Sequence, residues 1–94
     1  MTDTQLNRTI QSIGKGCFVK NFALFIDAKI SNDDAIEQLM LEYGYQESGA
    51  RTRVLGSRRI IASGRAKDAL KIIASSERVP LSTSSAARDL ALSL

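Results

Sequence analysis

Apolar residues recur every three or four positions along most of this 94-residue chain, and this spacing limits its possible folds more than any other feature. Residues at that spacing lie on one face of an α-helix. No segment alternates apolar and polar residues in the manner of a half-buried strand, and no Asn-Gly or Asp-Gly hairpin dipeptide occurs. The sequence therefore predicts an all-α fold, a small bundle of four to five helices.

The first helical segment contains two glycines, Gly14 and Gly16. Each costs about 1 kcal/mol relative to alanine inside a helix. We therefore expect either one bent helix or two short helices in this part of the chain. Its wide apolar face is predicted to lie in the core and consists of Phe18, Phe22, Phe25 and Ile26.

Cap signals define a second helix. Ser31 is a good N-cap, and Asp34 follows three residues later in the manner of a capping box. Gly44 is a typical C-terminal glycine, so the helix is expected to end there.

A third helix is expected to start with Glu47 or Ser48 as its cap and to run to about Ser63. Its inner face is predicted to carry Ala50, Val54, Ser57 and Ile61. Its outer face is predicted to carry Thr52, Gly56, Arg59 and Ser63. We expect the two small residues on the outer face to allow a close approach to a groove wall.

A fourth helix is expected over about residues 65–75, and the only proline, Pro80, separates it from the end of the chain. We therefore divide the chain into a single helical domain, 1–79, and a tail, 80–94. The tail is expected to be a serine-rich linker followed by a short helix. Alone that helix would be marginal, so it must dock on the body, form a dimer contact or fray.

The chain lacks histidine and has one cysteine, Cys17. Histidine is the commonest general base and a frequent zinc ligand, and one thiol cannot form an internal disulfide. No paired catalytic groups occur elsewhere. We therefore expect a protein that is not an enzyme, with no catalytic residues, no metal and no cofactor.

The longest dense apolar stretch, residues 18–30, is interrupted by charged residues and is too short to span a bilayer. The first six residues lack the pattern of a signal peptide. We therefore expect a cytoplasmic protein with no membrane partner.

Charge is distributed unevenly behind the net value of +3. Residues 21–50 hold six acids and one lysine, a net −5, whereas residues 51–78 hold eight basic residues and two acids, a net +6. A basic block of this kind is typical of a surface that binds nucleic acid. Arginines in such a block also pair with acidic helices, and the second predicted helix is acidic.

The basic block follows a capped helix and a tight turn after Gly44, which is the arrangement of a helix-turn-helix. Residues 34–61, DAIEQLMLEYGYQESGARTRVLGSRRII, resemble the DNA-binding helix-turn-helix of sigma factor region four and of bacterial response-regulator output domains. The resemblance implies that the second helix of the pair enters the major groove. The residues that it implicates are the cap Glu47-Ser48-Gly49, the base-reading Arg51, Thr52 and Arg53, and the basic cluster Ser57, Arg58 and Arg59.

These observations predict a small, sequence-selective binder of double-stranded DNA, either a transcription regulator or an accessory factor of a mobile element. A homodimer would match a two-fold related site. Its interface is expected on the C-terminal helix or on the aromatic face of the first segment. The predicted nucleic-acid-binding residues are Ser48, Arg51, Thr52, Arg53, Arg58, Arg59, Lys67 and Lys71.

Two alternatives remain open. A small helical adaptor or inhibitor would use the same basic surface against an acidic protein partner, with the arginines as interface anchors. RNA binding is less favoured, because no aromatic residue lies among the arginines in sequence to stack on unpaired bases.

Overall fold

Seven α-helices and no β-strand make up the computed structural model, which describes all 94 residues. In chain order the helices are α1 (Asp3–Ile13), α2 (Lys15–Lys20), α3 (Phe22–Ile26), α4 (Asn32–Tyr43), α5 (Glu47–Ala62), α6 (Ala66–Ala74) and α7 (Leu81–Leu92). The all-α prediction is confirmed, but there are seven helices rather than four to five. The difference lies mainly in the first 26 residues, where three helices replace the one or two that were expected.

The N-terminal segment is broken at two residues. Gly14 ends α1 with a φ of 91°, a conformation that residues with a side chain rarely adopt. Asn21 separates α2 from α3, and its side-chain amide donates to the carbonyl oxygen of Cys17 (3.1 Å). The break at Asn21 was not predicted, because asparagine interrupts helices less strongly than glycine does.

The core is one cluster of 18 buried apolar residues, to which every helix contributes. The Phe18 side chain is fully buried, and its ring centroid lies 5.5 Å from that of Phe22 and 6.4 Å from that of Phe25. The core prediction is confirmed for these three residues. It is wrong for Ile26, which is 47% exposed because α3 ends there and the chain turns away at Asp27.

Both predicted ends of α4 are confirmed. The Ser31 hydroxyl accepts a hydrogen bond from the backbone N–H of Asp34 (3.1 Å), as an N-cap does. Gly44 follows the helix with a φ of 73°, in the left-handed region. Three residues, 44–46, then connect α4 to α5, which packs against it.

The longest helix, α5, packs mainly against α1 and α4 and also contacts α2, α3 and α6. Because neighbours cover it from several directions, its buried arc is wider than the predicted inner face. Ile60 is fully buried, and Gly56 is also buried, so the prediction that Gly56 points outward is wrong. Ile61 is only half-buried. The position before the helix belongs to Gln46 rather than to Glu47 or Ser48.

The last two helices pack against each other, and α7 also contacts α2. Of the alternatives for the C-terminal segment, docking on the body is the one that the structure shows. The serine-rich stretch expected to be a linker forms the first turns of α7, where Thr83 and Ser84 are buried. None of the seven helices combines the length and the apolar character needed to cross a membrane.

Candidate nucleic-acid interface

One face of α5 stays open to solvent between its two main neighbours. Its members are spaced three or four residues apart, so they lie in a row along the helix. We call this row the α5 stripe, and it consists of Ser48, Arg51, Thr52, Leu55 and Arg59. All are exposed except Leu55, which is half-buried. The row extends about 16 Å along the helix at the usual rise per residue.

Arg51 is the first cation of the α5 stripe and forms ion pairs at the surface. Its guanidinium lies 2.6 Å from a carboxylate oxygen of Glu47, one turn earlier, and 4.0 Å from one of Asp33 on α4. The Arg51 side chain is 49% exposed, and both acids are more exposed still. Exposed pairs of this kind contribute about 0–1 kcal/mol, so Arg51 can exchange these partners for a phosphate or a base at small cost.

Arg53 lies outside the α5 stripe and has partners within the chain. Its guanidinium carbon lies 4.0 Å from the centroid of the Tyr45 ring, and one N–H group donates to the carbonyl oxygen of Gly49 (3.0 Å). The Tyr45 ring in turn lies 5.5 Å from the ring of Tyr43. An aromatic pair therefore does lie beside an arginine of α5, contrary to the sequence argument against RNA binding. Arg53 itself covers one face of the Tyr45 ring.

Arg58 is bound to the end of α3. Its guanidinium donates to the backbone carbonyl oxygens of Leu24 (3.3 Å), Phe25 (3.2 Å) and Asp27 (3.2 Å), and to the side-chain oxygen of Asn32 (2.7 Å). The last carbonyl groups of a helix have no partner within it. Because Arg58 supplies those hydrogen bonds, its donors are occupied inside the protein.

Arg59, the next residue, is exposed and has neither an ion pair nor a side-chain hydrogen bond within the chain. It lines a cleft of about 430 Å³ between α1 and α5, together with Arg8, Gln5, Thr9, Ser63 and Met1. Arg8 is likewise exposed and unpaired. The cleft lining therefore contains two free guanidinium groups and no carboxylate.

The cations of α6 are also exposed. Lys67 and Lys71 lie one turn apart, and neither forms an ion pair. Arg65, just before α6, differs from them because it lies between two carboxylates, 2.6 Å from Asp3 and 2.8 Å from Asp68. The hydrogen bonds that Arg65 donates to the Asp3 and Asp68 carboxylates raise the pKa of Arg65 above its ordinary value.

The two hydroxyl residues of the predicted set lie at the start of the α5 stripe. Ser48 is the second residue of α5, not its cap, and the Thr52 hydroxyl donates to the Ser48 carbonyl oxygen (3.0 Å). No side chain caps the N-terminus of α5, so the first N–H groups have no side-chain partner.

The structure thus brings Ser48, Thr52, Arg51 and Arg59 onto one face and holds Arg53 and Arg58 in contacts within the chain. It adds Arg8, which sequence reasoning missed. Arg8 and Arg59 are distant in sequence, and only the packing of α1 against α5 makes them neighbours. The periodicity of α1 would have placed Arg8 off the buried line of Leu6 and Ile10, but not beside α5.

No family model, curated protein or solved structure matches this chain.

Proposed function

We propose that this chain is a small, sequence-selective binder of double-stranded DNA, a regulator or a mobile-element accessory factor, with α4 and α5 as its helix-turn-helix. The observation that carries the proposal is the pair of unpaired arginines, Arg8 and Arg59, on the open side of α5. Arginines that serve the fold, such as Arg58, have partners inside the chain. The exposed pair has none, and arginine binds phosphate oxygens and guanine edges through its planar fork of donors.

The short connection from α4 to α5 supports the same proposal. A helix-turn-helix joins its helices by three or four residues that often include a glycine, and the connection here is 44–46 with Gly44 in the left-handed conformation. In this class the N-terminal residues of the second helix contact base edges. Ser48, Arg51 and Thr52 hold those positions in the α5 stripe.

The proposed contacts differ from the full sequence-based set. Ser48, Arg51 and Thr52 face bases, and phosphates are bound by Arg59, Arg8, Lys67 and Lys71. Arg53 and Arg58 are omitted, because their guanidinium groups already donate to backbone carbonyl oxygens. In the proposal their role is to hold α5 in place.

A titration of labelled random duplex by fluorescence anisotropy tests the proposal. We expect binding that weakens with salt, because phosphate contacts release counterions from DNA. Arg51→Ala and Arg59→Ala should each weaken binding severalfold, and loss of the Arg59 phosphate contact should reduce the salt slope by about 1. Arg78→Ala, which removes an exposed arginine without an ion pair between α6 and α7, is the matched control and should bind like the wild type.

Absence of duplex binding by the folded wild type at low salt would overturn the proposal. Equal losses for Arg59→Ala and Arg78→Ala would overturn it as well, since the attraction would then come from net charge and not from the α5 stripe. If duplex binds, selection from a random library should return a preferred sequence.

We further propose that the protein acts as a homodimer through α7. The aromatic face of the first segment cannot provide the interface, since Phe18, Phe22 and Phe25 are buried in the core. On α7, Leu81 and Leu92 are 80% and 79% exposed, and their separation of eleven residues places them on one side of the helix. Sedimentation of the wild type and of Leu81→Gln/Leu92→Gln would test this, with a monomeric wild type as the contradicting result.

An acidic protein partner is the second candidate function. The observation that favours it is Leu41 on α4, which is 79% exposed on the helix that flanks α5. A protein partner with an acidic rim and an apolar pocket would contact both Arg51 and Leu41, whereas binding to DNA requires no contact with the exposed leucine. Leu41→Gln should leave DNA affinity unchanged if the first proposal holds.

A further inference from the structure

We propose that the cleft between α1 and α5 is a binding site for one phosphate group, held by Arg8, Arg59 and Gln5. The inference rests on the proposed function in one respect, which is that Arg59 belongs to both surfaces. It goes further by assigning one ligand, a phosphate group, to residues on two different helices.

The shape of the cleft follows from how α1 approaches α5. Ile13 and Thr9 pack on Gly56, while Gln5, Arg8 and Met1 lie with Arg59 and Ser63. Increasing residue numbers on α1 thus correspond to decreasing numbers on α5, so the two helices run in opposite directions. The helices touch at Gly56, and the cleft opens beside Arg8 and Arg59.

The charges of the cleft are uncompensated. Neither Arg8 nor Arg59 forms an ion pair, and no acid lines the space between them. Asp3, an acid of the same helix as Arg8, is bound instead to Arg65 at 2.6 Å. Two positive groups that face one cleft without a counter-charge create a positive potential there and raise the local concentration of anions.

Gln5 adds a neutral donor whose orientation is fixed. Its side-chain oxygen accepts a hydrogen bond from the backbone N–H of Thr2 (2.9 Å), and its backbone N–H donates to the Thr2 hydroxyl (3.1 Å). This capping box occupies the oxygen and leaves the amide NH₂ group free. The cleft therefore offers amide and guanidinium donors together.

This donor set favours phosphate over a carboxylate. Guanidinium groups on two facing helices, with an amide beside one of them, can donate to several oxygens at once, and a phosphate presents more acceptor oxygens than a planar carboxylate does. The volume of about 430 Å³ lies within the range of small-molecule sites. The phosphate can thus belong to the DNA backbone or to a small phosphorylated compound.

The test is a titration with inorganic phosphate in which binding is monitored through the NMR signals of the arginine side-chain Nε–H groups. Potassium chloride at matched ionic strength is the reference. In the wild type we expect the Nε–H signals of Arg8 and Arg59 to shift until they saturate. In Arg8→Gln and in Arg59→Gln we expect the phosphate Kd to rise at least tenfold. Arg88→Gln is the control and should keep the wild-type Kd. Neither Arg8 nor Arg59 makes a side-chain hydrogen bond within the chain, so these variants should stay folded.

Shifts that do not saturate, that chloride reproduces, or that affect Arg78 and Arg88 equally would overturn the inference. Competition identifies the source of the phosphate. Displacement by duplex DNA assigns the cleft to a backbone phosphate, and phosphate binding to the DNA-bound protein assigns it to a small compound.

Phosphate binding without any duplex binding would overturn the proposed function alone, whereas duplex binding sensitive to Arg51→Ala but with no phosphate site would overturn this inference alone.

Discussion

Gly56 of α5 and Ile13 of α1 are in such close contact that a Cβ atom on the glycine would lie 3.2 Å from Cγ1 of Ile13. Thr9 lies almost as close, at 3.3 Å from the same point. The two helices therefore meet where α5 has no side chain. Because Ile13 is fully buried, it has little room to move away.

Gly56→Ala should consequently destabilise the protein, although alanine is the better helix former. The helix gains about 1 kcal/mol from the replacement, but overpacking a rigid core costs typically 1–3 kcal/mol. Urea denaturation should show a lower free energy of unfolding. Gly16→Ala is the control, since a Cβ there meets nothing within 4 Å, and it should stabilise the protein. A stabilised Gly56→Ala variant would show that the α1–α5 contact relaxes.

Arg58→Ala should lower the free energy of unfolding by about 2–4 kcal/mol, because it removes four hydrogen bonds from a charged donor and leaves the carbonyl oxygen of Phe25 without a partner. Arg59→Ala, the adjacent control, should be neutral within about 0.5 kcal/mol, as for other exposed positions. Thermal and urea denaturation of both variants would measure this. Equal stability of the two variants would contradict the assigned roles.

Tyr45 should stabilise the protein through Arg53. A cation over an aromatic face contributes about 0.5–2 kcal/mol, so Tyr45→Leu should lose an amount in that range. Tyr45→Phe should lose little, since the Tyr45 hydroxyl makes no hydrogen bond within the chain and the ring is kept. A double-mutant cycle with Arg53→Met isolates the pair, and a coupling energy of zero would refute the interaction.

Cys17 should make the protein less stable at alkaline pH. Burial raises the pKa of the Cys17 thiol, and this outweighs the opposing effects of the Arg53 charge and the Asn21 hydrogen bond. The unfolded chain therefore loses the thiol proton first, and the free energy of unfolding falls as pH rises above the ordinary thiol pKa of about 8.5. Urea denaturation from pH 7 to 10 should show a larger fall for the wild type than for Cys17→Ala, which shares all other titrating groups. Parallel curves would contradict the prediction.

Alkylation of Cys17 by iodoacetamide gives an independent measurement of the same pKa. The thiolate is the reactive form, so the midpoint of the rate against pH should lie above that of an unfolded peptide containing the same residue. A midpoint at or below the peptide value would show that Arg53 outweighs burial.

Local signals in the sequence were sufficient for the helices that have clear ends. Ser31 and Gly44 predicted α4 because a hydroxyl cap and a left-handed glycine act within a few residues of the helix end. The expected extents of α5 and α6 agree with the observed ones to about one residue at each end, but the cap expected for α5 was wrong, because Gln46 precedes the helix and no side chain caps it. The break at Asn21 was missed because asparagine is a weak local signal, and the start of α7 was missed because its serine-rich sequence is typical of a linker, although Thr83 and Ser84 are buried in the fold.

The order of residues is enough to establish that this protein is all-helical and that its basic charge is concentrated in one block, because both are properties of neighbouring residues. The role of each arginine depends on how the helices pack. Arg58 and Arg59 are adjacent and chemically identical, but the turn of about 100° between neighbouring helical residues directs one to the carbonyl oxygens of α3 and the other to the open cleft beside Arg8. Which side of α5 is covered depends on where α1, α3 and α4 pack, and no local pattern within α5 specifies that.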